Sequence, residues 1–326
     1  FMINILDVKP HVVSRDLSGY TTLLYGDPKS GKTTCATRFP KSLLLAFEKG
    51  YAALPGVMAL PINTWGDYLT ALRQLKDEAA KEKFSTIIID TVDIAYDLCE
   101  QYICQVNGVS KIGDVPYGAG YSMVAKEFDN KLRSIVQENY GLVLISHAQD
   151  KMFKDELGNE YNRIVPTVPN KASTIVSRLV DIIGYSRPVT VDGETKTMLF
   201  MRGTTRYMAG SRFKHLVDHI EFNYKNLVNA IHDAIDLQMA EDGEEYFSDE
   251  AQNLHLNTVK ETDFDTVMDD FNKTVQELMA KNKEHYAPRI TQIIESHLGI
   301  GKKVAECSRN QAPVIEIILS EIKDLD

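Results

Sequence analysis

The clearest chemistry in the chain is carried by Gly26-Asp27-Pro28-Lys29-Ser30-Gly31-Lys32-Thr33. Glycines at this spacing let backbone N–H groups turn inward around an anion. Lys32 adds an ammonium that can reach the terminal phosphates of a nucleotide. Thr33 offers a hydroxyl to Mg²⁺, an ion that prefers oxygen ligands and keeps several waters. With Thr34 next in line, Gly26 to Thr34 are the expected contacts for ATP and Mg²⁺, in the complete Walker A pattern. A second chemical element is Asp90, which closes Thr86-Ile87-Ile88-Ile89. A carboxylate after such an apolar run is expected beside the phosphate-loop strand, holding Mg²⁺ through water. The residue after Asp90 is Thr91, so a water-activating Glu is missing from that position. Glu48 follows the apolar run 43–47 and is the expected base, because it emerges at the same sheet edge. Asp93 is the weaker alternative.

These residues need elements to hold them. Residues 20–25 read as a strand running into the glycine loop, and 32–39 as a helix stopped by Pro40. Residues 43–47, 86–90, 142–146 and 179–185 are short apolar runs of the kind buried on both faces of a parallel sheet. Helices are expected at 66–83 and 120–139 between them, which makes the rhythm α/β. Residues 197–208 read as an antiparallel hairpin about Gly203, and 221–239 as the helix that ends the core. Residues 241–250 (EDGEEYFSDE) read as a solvated linker. Helices are expected at 264–284, 286–297 and 309–323, with Pro313 in the first turn of the last. The expected division is 1–240 for the ATPase core and 241–326 for an acidic linker with a helical segment.

Hydrophobic residues make up 44% and charged residues 25% of the 326, the balance of an ordinary globular protein. No apolar run approaches the ~20 residues that span a bilayer, so no membrane role is expected. The start, Phe1-Met2-Ile3-Asn4, lacks the order of a signal peptide. Cys35, Cys99, Cys104 and Cys307 show no paired spacing and read as reduced thiols of a cytoplasmic protein. The net charge of −10 resides in residues 241–326, with 9 basic and 19 acidic side chains, whereas residues 1–240 are balanced. A balanced core does not advertise nucleic acid, although a local basic groove is compatible with it.

The order of these elements resembles a known family. Walker A is followed by Phe47-Glu48-Lys49-Gly50, then Ile-Ile-Ile-Asp90-Thr91, a Tyr117-Gly118 to Tyr121 segment, Leu144-Ile145-Ser146-His147 and Val180-Asp181-Ile182-Ile183. A final Arg-rich hairpin completes it. Over residues 15–235 the chain looks like the RecA-like AAA ATPases of phage recombination cassettes, the Sak-type single-strand annealing ATPases. The resemblance implies a RecA-like P-loop core and single-stranded DNA as a partner. It also implies homo-oligomers, ring or filament, working beside a single-strand-binding protein in the cytoplasm of a bacterial host. A polar pair at the end of strand 142–146 faces the γ-phosphate in RecA-like cores, so His147 is the expected phosphate sensor.

Two further expectations concern cations. Arg202, Arg206, Arg212 and Lys214 lie late in the core, where such cores often place residues that act on a neighbouring subunit's γ-phosphate. Arg206 and Arg212 are the leading candidates. Residues 149–175 follow His147 and read as a mobile DNA-contact loop, with Lys151, Lys154, Arg163 and Lys171 for phosphates and Phe153 and Tyr161 for bases. A metal between His215 and His219, four apart on a helix, lacks a third ligand. A different class of function is also open: an ATP-dependent switch or scaffold that binds partner proteins, hydrolyses slowly and has no direct DNA role.

Overall fold

A computed structural model describes residues 10–250 and 263–325. The described residues form two compact units, one in 10–250 and one in 263–325. The first carries β1 (Val13–Ser14), β2 (Thr21–Gly26), α1 (Lys32–Ala36), β3 (Ser42–Ala46), β4 (Ala59–Pro61), α2 (Trp65–Gln74) and α3 (Glu78–Lys83). It continues with β5 (Thr86–Asp90), α4 (Val92–Val106), α5 (Ala119–Gln137), β6 (Gly141–Lys154), β7 (Glu160–Pro166) and α6 (Asn170–Leu179). It closes with β8 (Ile182–Val191), β9 (Glu194–Phe200), β10 (Gly210–Ser211), β11 (His219–Glu221), α7 (Tyr224–Asp242) and β12 (Phe247–Ser248).

The main sheet runs β11-β9-β8-β2-β6-β5-β3-β4, and β8 through β4 are parallel to one another. Every residue of β2 and β5 is buried. Alternate side chains feed two separate cores, as period-two geometry demands. Leu23, Leu45, Ile87, Ile89 and Leu144 pack under α2, α4, α5 and α6. Leu24, Leu44, Ile88, Val143 and Ile145 pack under α1 and α7. Each fully buried Ile or Leu contributes roughly 1.5–3 kcal/mol, so the paired cores hold the strand ends that carry the site. This is the expected RecA-like P-loop core, with a small helical C-terminal segment.

Several local expectations are corrected. The strand ending in Asp90 is not beside the phosphate-loop strand: β6 lies between them, paired with β2 on one side and β5 on the other. The antiparallel hairpin turns at Asp192-Gly193 rather than Gly203, joining β8 to β9. Gly203 instead lies against residue 209, where an added Cβ would sit 2.6 Å from the Ala209 carbonyl oxygen. Residues 66–83 form two helices, because the chain turns at residues 75–77. Residues 241–250 are no linker. α7 runs to Asp242, and Phe247 and Ser248 pair in parallel with Val13 and Ser14. The Ser14 hydroxyl donates to the Glu250 carbonyl at 2.6 Å, and Arg15 pairs with Asp236 and Asp249. The charge run is thus tied down by backbone and counter-ions that composition does not show.

The second unit consists of α8 (Phe264–Leu298) and α9 (Ala312–Lys323) around a core of Val267, Phe271, Leu278, Ile290, Ile315, Ile318 and Ile322. The two helices expected over 264–297 meet at Asn282, whose backbone is extended (φ −160, ψ 95). Its Oδ1 accepts the His285 N–H at 3.1 Å, the capping bond that starts a new helix. Pro313 lies in the first turn of α9, as expected.

Candidate functional site

Parallel register brings the carboxyl ends of five strands together. Gly26 is level with His147 and Ser186, and Asp90 with Ala46 and Ile145. The glycine loop leaves β2 at Gly26 and enters α1 at Lys32. Gly26 is dictated by space: a Cβ there would lie 2.0 Å from the Ser186 carbonyl oxygen. Lys29 and Gly31 have positive φ (63 and 88), which curls the loop as an anion cradle requires. Asp27, Pro28, Lys29 and Thr34 are exposed, and Ser30 is buried with its hydroxyl 2.7 Å from that of Ser186. Ser186 has no signature in the sequence, because only strand pairing brings it to the loop.

Lys32 is 6% exposed. Its ammonium donates to the carbonyls of Gly26 (3.0 Å) and Asp27 (2.7 Å), at the mouth of the loop. Burial pulls its pKa below the usual lysine range, opposed by the negative charges of Asp90, Asp27, Glu48 and Asp93. Thr33 Oγ1 donates to Asp90 Oδ2 at 2.6 Å. Asp90 is 2% exposed, and burial pushes its carboxyl up to about 6; the Thr33 hydrogen bond opposes that and the Glu48 charge adds to it. Its second oxygen, Oδ1, is buried with no hydrogen-bond partner among the described residues.

Glu48 is positioned by β3 and by the Walker strand together. The N–H groups of Phe47 and Glu48 both donate to the Asp90 carbonyl, at 2.8 and 3.2 Å. Its Oε1 lies 3.7 Å from His147 Nε2, so the expected base and the expected sensor face each other. Gly50 completes the ring. A Cβ there would lie 3.6 Å from Asp90 Oδ2, 3.8 Å from Thr33 Oγ1 and 3.9 Å from Glu48 Oε1. Three ligand-type oxygens therefore converge on a space that only glycine leaves clear. Asp93 is turned elsewhere: its Oδ2 accepts the Thr167 hydroxyl at 2.6 Å, and the Thr167 N–H donates to the His147 carbonyl at 3.0 Å. Thr167 was invisible to motif reading, since nothing local marks a residue that matters through a contact 74 positions away.

The expected cations are not all gathered here. Arg212 pairs with Asp181 at 3.2 Å and donates to the Arg178 carbonyl. Asp181 also accepts the Thr21 N–H, so Arg212 stands at the amino edge of the sheet, opposite the glycine loop. Arg202 pairs with Asp218, and Lys214 with Glu241. Arg206 is exposed, and its guanidinium has no partner among the described residues. Residues 148–166 form an antiparallel hairpin rather than an irregular mobile loop, with α6 following. On it Lys154 pairs with Glu160, Lys151 contacts Asn170, and Phe153 and Tyr161 stack on each other. Lys171 lies over the Tyr121 ring at 5.5 Å. His215 and His219 share no helix; His219 belongs to β11 and His215 contacts Glu241.

A family profile described as an AAA domain matches residues 18–213, more than half of the chain. The chain belongs to the AAA domain family. All of the loop, Glu48, Asp90, His147, Arg206 and Arg212 fall within the matched residues of this AAA domain. Over 331 aligned residues the chain is 32% identical to the SPbeta prophage-derived uncharacterized protein YorG of Bacillus subtilis, covering 99% of this chain and 98% of that one. Among solved structures it is similar to a KaiC-like protein of Pyrococcus horikoshii (12% identity, TM-score 0.35, 60% of this chain and 90% of that one). It is also similar to the flagellar accessory protein FlaH of Methanocaldococcus jannaschii (11%, TM-score 0.31, 61% and 80%).

A P-loop AAA domain implies a bound nucleotide with a divalent ion, and the residues fit that pair. Asp90 Oδ2, the Thr33 hydroxyl and Glu48 Oε1 surround the clearance at Gly50, and the other Asp90 oxygen, Oδ1, is buried without a partner among the described residues. Among the described residues no cluster of three or more His, Cys, Asp or Glu has metal-binding geometry. An ion here would rest on Thr33 and Asp90, with water and phosphate oxygens completing its shell. No helix among the described residues is long and apolar enough to cross a membrane.

Proposed function

We propose that this AAA domain is a Mg²⁺-dependent ATPase of the Sak-type annealing kind, acting as a homo-oligomer on single-stranded DNA. The observation that carries the ATPase part is the convergence of Lys32, Thr33, Asp90, Glu48 and His147 at neighbouring strand ends. In this reading Lys32 neutralises the β- and γ-phosphates, and Thr33 and Asp90 would hold a Mg²⁺ ion, which would supply further charge neutralisation. Glu48 orients and deprotonates the attacking water, and His147 opposite it registers the γ-phosphate. The prophage origin of YorG supports a phage setting, and the DNA role rests on the family resemblance alone. Arg212 is held within its own chain by Asp181 and the Arg178 carbonyl, which argues against its acting across a subunit interface, whereas Arg206 is exposed with no guanidinium partner among the described residues. A division of labour in which the acidic helical unit of residues 263–325 takes no part in catalysis belongs to the same proposal.

The test is phosphate release by the full chain with Mg²⁺, with and without oligothymidylate. Expected outcomes are turnover stimulated by DNA and a roughly hundredfold or greater loss in Glu48→Gln with ATP binding kept. Turnover that ignores both DNA and Glu48→Gln would refute the assignment. A single observation favours the switch reading. Glu48 lies 3.7 Å from the His147 ring, a contact that would hold the carboxylate away from water. Tight ATP uptake with no turnover would decide for the switch.

A further inference from the structure

Beside the glycine loop, an aromatic platform carries Arg187, and a backbone bridge at its edge brings Arg163 level with Arg206. Tyr25, Tyr185 and Phe200 are register partners on β2, β8 and β9, so their rings line up across the sheet. Ring centroids lie 5.0 Å apart for Tyr25–Tyr185 and 6.2 Å for Tyr185–Phe200. Tyr207 closes over them, 5.3 Å from Tyr185 and 5.2 Å from Phe200. Arg187, two residues beyond Tyr185 and thus on the same face, sets its guanidinium 5.1 Å from the Phe200 ring. The other two come from a short parallel bridge between Ile164 and Tyr207. That bridge, with Ile164 N–H donating to the Arg206 carbonyl at 2.8 Å, puts Arg163 level with Arg206. The Tyr25 hydroxyl reaches the same bridge at the Ile164 carbonyl, and it senses the Arg163 charge.

Cations brought to one patch of surface repel one another unless an anion joins them. Arg15, Arg133, Arg202, Arg212 and Arg309 each have a carboxylate partner. Arg163, Arg187 and Arg206 have none among the described residues, nor do Arg38, Arg73, Arg178 and Arg289; of these seven, Arg163 and Arg187 have Nε atoms buried without a hydrogen-bond acceptor. A buried charged donor left without an acceptor is costly, and an anion relieves it. Asp27 and Asp150 act on the neighbouring Tyr185 through space, so the cluster has acidic flanks but no ion pair.

We propose that Arg163, Arg187 and Arg206 form one binding site for the phosphodiester backbone of a single-stranded polynucleotide. The inference rests on the DNA-linked reading above and names the surface that serves it. Arg163 and Arg187 are half-buried, and Arg187 is recessed on the Phe200 ring. A recessed guanidinium cannot reach into a neighbour's nucleotide pocket; a flexible backbone can come to it. The rings pack on one another rather than standing free, so contact is through phosphate and indifferent to base. Arg163 and Arg206 flank the root of the β6–β7 hairpin, and Thr167 at its end bonds to Asp93 and His147.

The test is anisotropy of a fluorescein-labelled oligothymidylate with the full chain, over a salt series, with ATP uptake measured in parallel. Replacing all three (R163Q, R187Q and R206Q together) lowers the log–log salt slope by about 2 and weakens binding by roughly tenfold or more. Arg206→Gln alone, at an exposed position that the fold tolerates, lowers the slope by about 0.7. ATP uptake stays at the wild-type level in both. An unchanged slope in the folded variants overturns the cluster while the DNA reading stands. An unchanged slope with reduced turnover assigns Arg206 to a neighbour's triphosphate instead, and also overturns it. No binding by the wild type overturns both readings.

Discussion

Replacing Asp90 by Asn should stabilise the metal-free protein while removing its Mg²⁺ site. The carboxyl is buried, and burial raises it from 3.8 to about 6. A raised carboxylate pKa means that the folded state binds more protons than the unfolded state between pH ~4 and ~6. Stability is therefore lost as pH rises through that window. The loss is complete above the folded value and absent below the unfolded one. At 1.36 kcal/mol per pKa unit the charge costs about 3 kcal/mol at pH 7.5. Asn removes the charge, keeps an acceptor for the Thr33 hydroxyl and fills the same volume. For a unit of this size that corresponds to a rise of roughly 6–12 °C in the melting temperature of the core. The assay is thermal melting of wild type and Asp90→Asn in chelator from pH 4 to pH 8, followed in the core transition, since two units need not melt together. The gain should be near zero at pH 4 and reach its plateau by about pH 7. A variant equal to or less stable than wild type at pH 7.5, or a gain independent of pH, would refute the reasoning.

Gly50→Ala should leave the fold within about 0.5 kcal/mol of wild type, because its Cβ meets only ordinary contacts in an exposed turn. It should weaken Mg²⁺-dependent ATP uptake by roughly tenfold, since the methyl enters the space between three oxygens; equal uptake would remove Gly50 from the site. Gly26→Ala should cost about 3 kcal/mol or more, through a 2.0 Å clash with the Ser186 carbonyl at positive φ. A chemical-denaturation midpoint like that of wild type would contradict it.

Residue type alone exposes those parts of the site where chemistry restricts the choice. The loop from Gly26 to Thr33, Asp90 at a strand end, and Glu48 after a second buried run all met at one edge as expected. What stayed hidden depends on which strands pair. The placement of β6 between β2 and β5 is a long-range choice, and motif spacing carries no information about it. Thr167 and Ser186 are ordinary polar residues until the sheet brings them to Asp93 and Ser30. Charge counting failed for Arg212 and for residues 241–250 for the same reason, as their counter-ions lie far along the chain. The hairpin turn is legible in the sequence, since Asp192-Gly193 between alternating runs is a stronger turn signal than the lone Gly203.

Calorimetric titration of ATP into the full chain, in Mg²⁺ and in chelator, tests the central assignment most directly when repeated with Lys32→Ala. One site per chain is expected, dependent on Mg²⁺, and weakened roughly tenfold to a hundredfold by loss of the ammonium. Uptake that is the same without Mg²⁺ and unchanged in Lys32→Ala would contradict it.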